Sequence, residues 1–520
     1  MKHSFKLGTG VALLGLAGLG GAPADARADA GAGAPGGVTF TVVLTPEAVA
    51  DAALAAVEAA GGELVNYFDE LGVIEARAGQ PTTFVRAVVG RPDVASVGPT
   101  LVGRLAAGEL AGALPGAAAA PSPADPTDPA AYLWNVERVT RDGAAWSIHA
   151  GTHDVVVAVL DTGIDLAHPD LVANLVPGSR SMAPGASVWD DHGHGTHVAG
   201  TIAAAGRIEG VAPGVGIRAY RIYGPNGELS VTGLANAVRA AADDGADVIN
   251  LSLGFMQVRG QVTFVDPVTG ERTALGNDVA SLVALERAVR YAVNRNAVVV
   301  GGAGNDAIDL TNPHAVAEWF GGWLEQMGLP FEVQGAAVHV PGGLPGVLTV
   351  SAAGGGWGTA DRLADYASYG HGVVDLTAPG GDLGPLFPEV VEPDFHKYLV
   401  LSTAPTYLPC QPLAAPLGLC DYAFAAGTSM AIPAVSGAAA LVISEAYART
   451  GAKPSPAQVT ARLQQAAEDV GAPGNDALFG RGMVDAHRAL TLRLTYEAGA
   501  HGAGRPAPGP GPGARWRLAL

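Results

Sequence analysis

Three side chains in this sequence sit in settings where they could do chemistry together: a serine, a histidine and an aspartate, each at a glycine-containing turn. The serine is Ser429, in Phe424-Ala-Ala-Gly-Thr-Ser429-Met-Ala-Ile-Pro433, ahead of an apolar run from Ala434 to Ala446 that predicts a buried helix. A hydroxyl at a helix start also serves simply as a cap. To act as a nucleophile at neutral pH, it needs a base to take its proton and a third group to orient that base. The candidate base is His194, in Asp190-Asp-His-Gly-His194-Gly-Thr-His197-Val-Ala-Gly200, which leads into an Ala-rich helix from Val198 to Ala205. The candidate carboxylate is Asp161, at the end of Val155-Val-Val-Ala-Val-Leu160. That continuous apolar run predicts a strand buried on both faces, and open α/β sheets gather their sites beyond such strand ends. An aspartate there is equally able to begin a turn and do nothing more. Asn305, closing Ala297-Val-Val-Val-Gly-Gly-Ala-Gly-Asn305, offers an amide N–H to developing negative charge or merely a left-handed turn residue. His192, His194 and His197 also invite a metal, since positions three apart share a helix face. The glutamate that zinc hydrolases place between their histidines is absent.

The elements that must position these groups alternate from Tyr132 onward. Strands are predicted at Ile217 to Tyr223, Asp247 to Gly254, Val347 to Ala352 and Val373 to Ala378, with helices at Val231 to Ala242, Ser281 to Asn294 and Pro456 to Ala467. Ser455 caps the last of these, with proline at its first position. Gly480 to Ala486 leads into a final helix. Residues 255–278 and 307–345 break the alternation and read as surface insertions. The implied fold class is α/β: a mostly parallel central sheet with helices on both faces.

A smaller unit precedes it at 38–104. Its pattern of strand, helix, two strands, helix and strand is ferredoxin-like α+β. Residues 105–131, rich in Ala, Pro, Gly and Asp, have linker composition. Residues 1–30 carry Lys2 and Lys6, an apolar run from Leu7 to Ala22 and small residues after it, the order of a secretory signal. The main domain is read at 132–495 and a disordered Gly/Pro-rich tail at 496–520. The net charge of −19 argues against nucleic acid and against anionic membrane surfaces. Two cysteines, Cys410 and Cys420, either close a small disulfide in an oxidising compartment or remain buried thiols. A secreted, soluble chain is expected, with no membrane partner once the signal is removed.

With these residues in view, the chain resembles the subtilisin-like serine proteases from about Tyr132 to Arg493. Three motifs in the family's Asp, His, Ser order carry the likeness: Val159-Leu-Asp-Thr-Gly-Ile164, His194-Gly-Thr-His-Val-Ala-Gly200 and Gly427-Thr-Ser-Met-Ala431. The resemblance implies that Ser429 is the nucleophile, His194 the general acid and base, and Asp161 the group fixing the imidazole tautomer. It makes Asn305 and the Ser429 N–H the oxyanion donors, and His197 structural. Ser252, Leu253 and Gly254 would line the first specificity pocket, and Tyr223 to Ser230, including Gly227, the opposite edge, holding a peptide as an added strand. Glu228 on that edge either favours a basic residue or is a solvated surface group. The unit at 38–104 resembles an inhibitor-type propeptide, with the maturation cut between Arg104 and Ala131.

The implied function is a secreted serine endopeptidase, made as a self-processing zymogen, acting as a monomer on protein or peptide substrates with its own propeptide as inhibitor. No cofactor is implied for catalysis and no metal ligands are assigned. Asp170 matches one ligand of a structural calcium site found in the family, but the short loop Ala205 to Val211 completes no such site. Gly210 to Ile217 is similar to subtilases that trim peptide leaders. The alternatives are an inactive binding protein of the same fold and a zinc hydrolase using His192, His194 and His197.

Overall fold

The computed structural model describes residues 37–104, 125, 127–266, 269–277, 279–316, 319, 331–356, 359–386 and 395–492. The expected signal segment, most of the linker and the tail lie outside the described residues.

Strand Val156–Asp161 stands near the middle of an eight-stranded sheet. Its neighbours Gly216–Arg221 and Val248–Leu251 both run parallel to it, followed by Val298–Gly302 and Val347–Gly356. Among the described residues of this sheet, only Thr359–Leu363 pairs antiparallel, at the edge. The apolar runs are continuous because both faces are covered. Val157 and Val159 belong to one buried cluster, with the helices His194–Ala203 and Thr428–Thr450. Ala158 and Leu160 belong to another, with the helices Val231–Asp243 and Ala280–Asn294. A strand wetted on one side would need polar residues at every second position. The α/β class with a mostly parallel sheet is therefore observed.

The N-terminal unit is a four-stranded antiparallel sheet in the order Gly62–Phe68, Val73–Ala78, Val38–Leu44, Val94–Pro99. Helices Ala50–Ala59 and Pro81–Val88 accompany it, and Phe84 stacks on Phe40 with ring centroids 5.1 Å apart. Its core is continuous with that of the larger unit: Phe40, Val42 and Val97 share a cluster with Leu234, Leu285 and Phe264. Arg287, from helix Ala280–Asn294, donates to the carbonyls of Leu71 and Leu44 at 2.9 and 2.6 Å.

Two expectations need correction. The small unit does not end with its last strand as its pattern implies: that strand spans Val94–Pro99, and a separate strand, Val102–Arg104, leaves the small sheet to pair antiparallel with Glu228–Ser230. The segments 255–278 and 307–345 do not merely interrupt the alternation. Strands Phe255–Val265, Arg272–Asn277 and Phe331–Val340 form a sheet of their own, the first pairing with each of the others. Phe255 pairs with Val340, 85 positions further along the chain, a contact that local periodicity does not report.

Candidate active site

Asp161, Ser252 and Asn305 all lie at or just beyond the carboxyl ends of adjacent parallel strands. His194 and Ser429 come to the same edge on the first residues of two helices packed on one face.

The strand tip and the histidine helix meet closely. Asp161 Oδ1 accepts from the Thr162 N–H at 2.7 Å and pairs with His194 Nδ1 at 2.8 Å. The two side chains are 1% and 9% exposed, so little water competes for this charge-assisted bond. A Cβ on Gly195 would collide with the Gly163 carbonyl and lie 3.1 Å from Asp161 Cβ. Glycine there lets the helix start press against the strand tip. Asp190, wholly buried, holds the helix start in place. Its carboxylate accepts from the N–H groups of His192, Gly193 and Thr196 at 3.0, 2.8 and 2.9 Å, and from the hydroxyls of Thr162 and Thr196 at 2.8 and 2.6 Å. It satisfies the free donors of a first helical turn, where negative charge is also favoured by the helix dipole. Sequence reasoning missed this role. The available signal was an aspartate just ahead of a helix start that lacks any other cap.

The serine helix begins at Thr428, so Pro433 is its sixth residue and lies past the first turn. A residue there would donate to the carbonyl four residues back, that of Ser429. Ser252 Oγ donates to that carbonyl instead, at 3.0 Å, and Ser429 Oγ donates to the Ser252 carbonyl at 3.1 Å. Asn250 Nδ2 donates to Ser252 Oγ at 2.9 Å, and Asn250 Oδ1 accepts from Ser436 Oγ at 2.8 Å. The proline's missing donor thus ties the serine helix to the strand beside it.

Asn305 Oδ1 accepts from both the N–H and the hydroxyl of Thr428, each at 2.9 Å. With its oxygen held there, Nδ2 faces the turn ahead of Ser429. The point a Gly427 Cβ would occupy lies 3.6 Å from Asn305 Nδ2 and 3.7 Å from the Ser429 nitrogen, so two N–H donors flank one space. Leu253 is buried beside Ser252, and Gly227 closes the turn before Glu228–Ser230. That edge is already paired: Val102, Gly103 and Arg104 lie opposite Ser230, Leu229 and Glu228.

The three histidines do not converge. His197 is wholly buried, its Nε2 bonded to the carbonyls of Val400 and Ala423 at 3.2 and 3.1 Å, and burial pushes its pKa down to about 4. Burial, then the charge of His194, lowers the pKa of His192. The rings of His192 and His194 are 6.5 Å apart and tilted. Asp170 accepts from the N–H groups of Arg207 and Ile208 at 2.9 and 3.2 Å and from the Tyr422 hydroxyl at 2.8 Å, so the short loop wraps its carboxylate directly. Cys410 and Cys420 are bonded to one another. Within the loop they close, Gln411 clasps Phe424 through both its N–H and carbonyl, at 2.8 and 2.7 Å, steadying the strand that leads to Ser429.

This geometry has counterparts among known proteins. The profile of the subtilase family matches residues 152–482. The nisin leader peptide-processing serine protease of Lactococcus lactis subsp. lactis is 30% identical over 60% of this chain and 44% of its own length. The thermophilic serine proteinase of Bacillus sp. (strain AK1) is 30% identical over 67% of this chain and 64% of its own. The chain thus spans between under half and about two thirds of these relatives. Among solved structures, a lanthipeptide protease is 31% identical with a TM-score of 0.55, covering 69% of this chain and 94% of that one. The epidermin leader peptide-processing serine protease of Staphylococcus aureus superposes with a TM-score of 0.66 at 24% identity, covering 88% of this chain and 98% of that one, a likeness of fold.

Proposed function

The chain belongs to the subtilase family of serine proteases, and from that premise we propose that it hydrolyses peptide bonds through Ser429, His194 and Asp161, by way of an acyl-enzyme. The observation that carries the assignment is the buried 2.8 Å contact between Asp161 Oδ1 and His194 Nδ1. It fixes the tautomer in which Nδ1 carries the hydrogen and Nε2 is the basic nitrogen that accepts a proton. Ser429 Oγ turns from the Ser252 carbonyl toward Nε2, gives up its proton and bonds to the substrate carbonyl carbon. The oxygen then carries the negative charge between Asn305 Nδ2 and the Ser429 N–H. Collapse breaks the C–N bond, and His194 passes the proton to the departing amine. Water repeats the sequence in reverse, with His194 as base, and releases Ser429.

The chain is exported and made as a zymogen, residues 38–104 acting as inhibitor until the cut between Arg104 and Ala131. The pairing of Val102–Arg104 on Glu228–Ser230, the edge expected to hold substrate, supports this. Peptide leaders are a substrate class suggested by the relatives that process them. The test is to express wild type and Ser429→Ala side by side. Wild type should lose its first hundred or so residues and react with a serine-directed phosphonate at Ser429, while the variant keeps its N-terminus. Folded wild type that neither labels nor matures would instead indicate a binding protein of this fold. The rate should rise as pH passes through the imidazole titration and persist into alkaline solution; a maximum near pH 4 contradicts the role of His194.

A further inference from the structure

Two segments flank Ser429: Ser252-Leu253-Gly254, bonded to Ser429 on one side, and the turn Gly304-Asn305, bonded through Asn305 to Thr428 on the other. With Ser429 as nucleophile and the acyl oxygen between Asn305 Nδ2 and the Ser429 N–H, the gap between these segments is where the acyl side chain would enter. That gap is already closed below by one ring. A Cβ on Gly254 would collide with His339 Cε1 and lie 2.7 Å from its Nε2, and a Cβ on Gly304 would lie 2.6 Å from Nε2 and 2.9 Å from Cδ2. Both walls are glycine where they face the ring, because any larger residue would meet it.

His339 is 4% exposed, and its Nδ1 has no hydrogen-bond partner among the described residues. It is supplied by the inserted sheet, on strand Phe331–Val340, where it pairs with Met256 two residues past Gly254. The insertion therefore does more than decorate the surface, since its last strand delivers a side chain to the substrate cleft.

We propose that His339 forms the floor of the primary specificity pocket, so that the residue on the acyl side of the scissile bond must be small and uncharged: glycine, alanine or serine. This rests on Ser429 as nucleophile. The ring is neutral over the working range, since burial holds its pKa down to about 4, and so gives a carboxylate no cation to pair with. Asp306 lies to one side, its Oδ2 3.2 Å from the same point above Gly304, and would draw a basic side chain if the gap were open. Burial raises its pKa to about 6, which weakens that attraction in mild acid, and a lysine or arginine would have to displace the ring to reach it.

The experiment is a series of fluorogenic peptides differing only at the acyl-side residue, assayed with wild type and with His339→Gly and His339→Ala. Wild type should cleave after alanine or serine with kcat/KM at least about tenfold above phenylalanine, leucine or arginine. In the variants the ratio of phenylalanine to alanine should rise by about tenfold or more. Wild type that cleaves after phenylalanine or arginine as well as after alanine overturns the proposal, the arginine result pointing to Asp306 instead. An alanine preference that survives unchanged in the variants also overturns it. Phosphonate labelling of Ser429 separates the two levels: a labelled enzyme with the wrong profile sinks only the pocket, whereas an unlabelled folded enzyme sinks the nucleophile as well. If a variant does not fold, the wild-type ratio decides alone.

Discussion

Asn305 does two jobs with one amide, and they can be separated by measurement. Its oxygen anchors Thr428 and its nitrogen flanks the space beside the Ser429 N–H. Asn305→Ala should lower kcat by roughly two to three orders of magnitude with little change in KM, as expected for a donor used only in the transition state. Stability should fall by only about 1 kcal/mol for the lost cap. A large rise in KM with kcat intact would show that the amide binds substrate instead. Ser429, His194, Asp161 and Asn305 were legible because each stands at a sharp change from apolar run to glycine turn. Asp190 and His339 were not, since one looks like any turn aspartate and the other lies in a segment with no evident period. The buried histidines also set how stability responds to acid. His197 and His339 have native pKa values of about 4 against 6.5 when exposed, so between those values the unfolded chain holds protons the native one lacks. Asp306 opposes them: its native pKa of about 6 against 3.8 means that it holds a proton the unfolded chain has lost. Two histidines against one carboxyl leave a net of about one proton, so these three groups together should lower stability by roughly 1.4 kcal/mol per pH unit on going from pH 6 to pH 4.5, the lowered pKa of His192 adding to this and the raised ones of Glu137, Asp375 and Asp382 opposing it. Urea midpoints of Ser429→Ala, which cannot digest itself, test this; a flat or rising profile toward acid contradicts it.

At the level of elements, the histidine helix owes its position to a single carboxylate. Among the described residues, five hydrogen bonds converge on the Asp190 carboxylate at that helix start. Asp190→Ala should cost several kcal/mol in stability, because it strands buried N–H groups. It should also lower kcat by more than KM rises, because His194 loses its approach to Asp161. Asp190→Asn, which keeps the shape and part of the accepting capacity, should recover part of both, and equal loss in the two variants would mean that charge, not geometry, dominates. The parallel strands were readable from sequence as continuous apolar runs, and their helices by their own period. The inserted sheet was not, because its strands are defined by partners far along the chain. Val102–Arg104 was misjudged for the same reason: its partner is Glu228–Ser230 in the other unit.

For the molecule as a whole, the consequential fact is that the N-terminal unit and the larger unit share one buried cluster. Phe40 meets Phe264 of the inserted sheet edge-on with centroids 5.6 Å apart, and Thr82 donates to the buried carboxylate of Asp266 at 2.6 Å. Arg86 pairs with Glu271 at the exposed rim, where such a pair adds little. An N-terminal unit held by a core of this kind should stay in place after the chain is cut, because the contacts do not depend on the covalent link. To test this, a recognition site for an unrelated protease is written into residues 105–124 of Ser429→Ala and the protein is nicked there. The two pieces should travel together through gel filtration at micromolar concentration. Phe264→Ala removes the aromatic contact that bridges the units and leaves a cavity at a fully buried site. Release of the nicked unit should then be at least about tenfold faster, whereas Glu271→Gln should change it by less than about threefold. Immediate separation of the nicked wild-type interface would show that the shared core does not hold the N-terminal unit. The inhibitory role proposed for that unit would then have to rest on the short strand Val102–Arg104 paired with Glu228–Ser230, a segment of three residues that cannot bind tightly by itself.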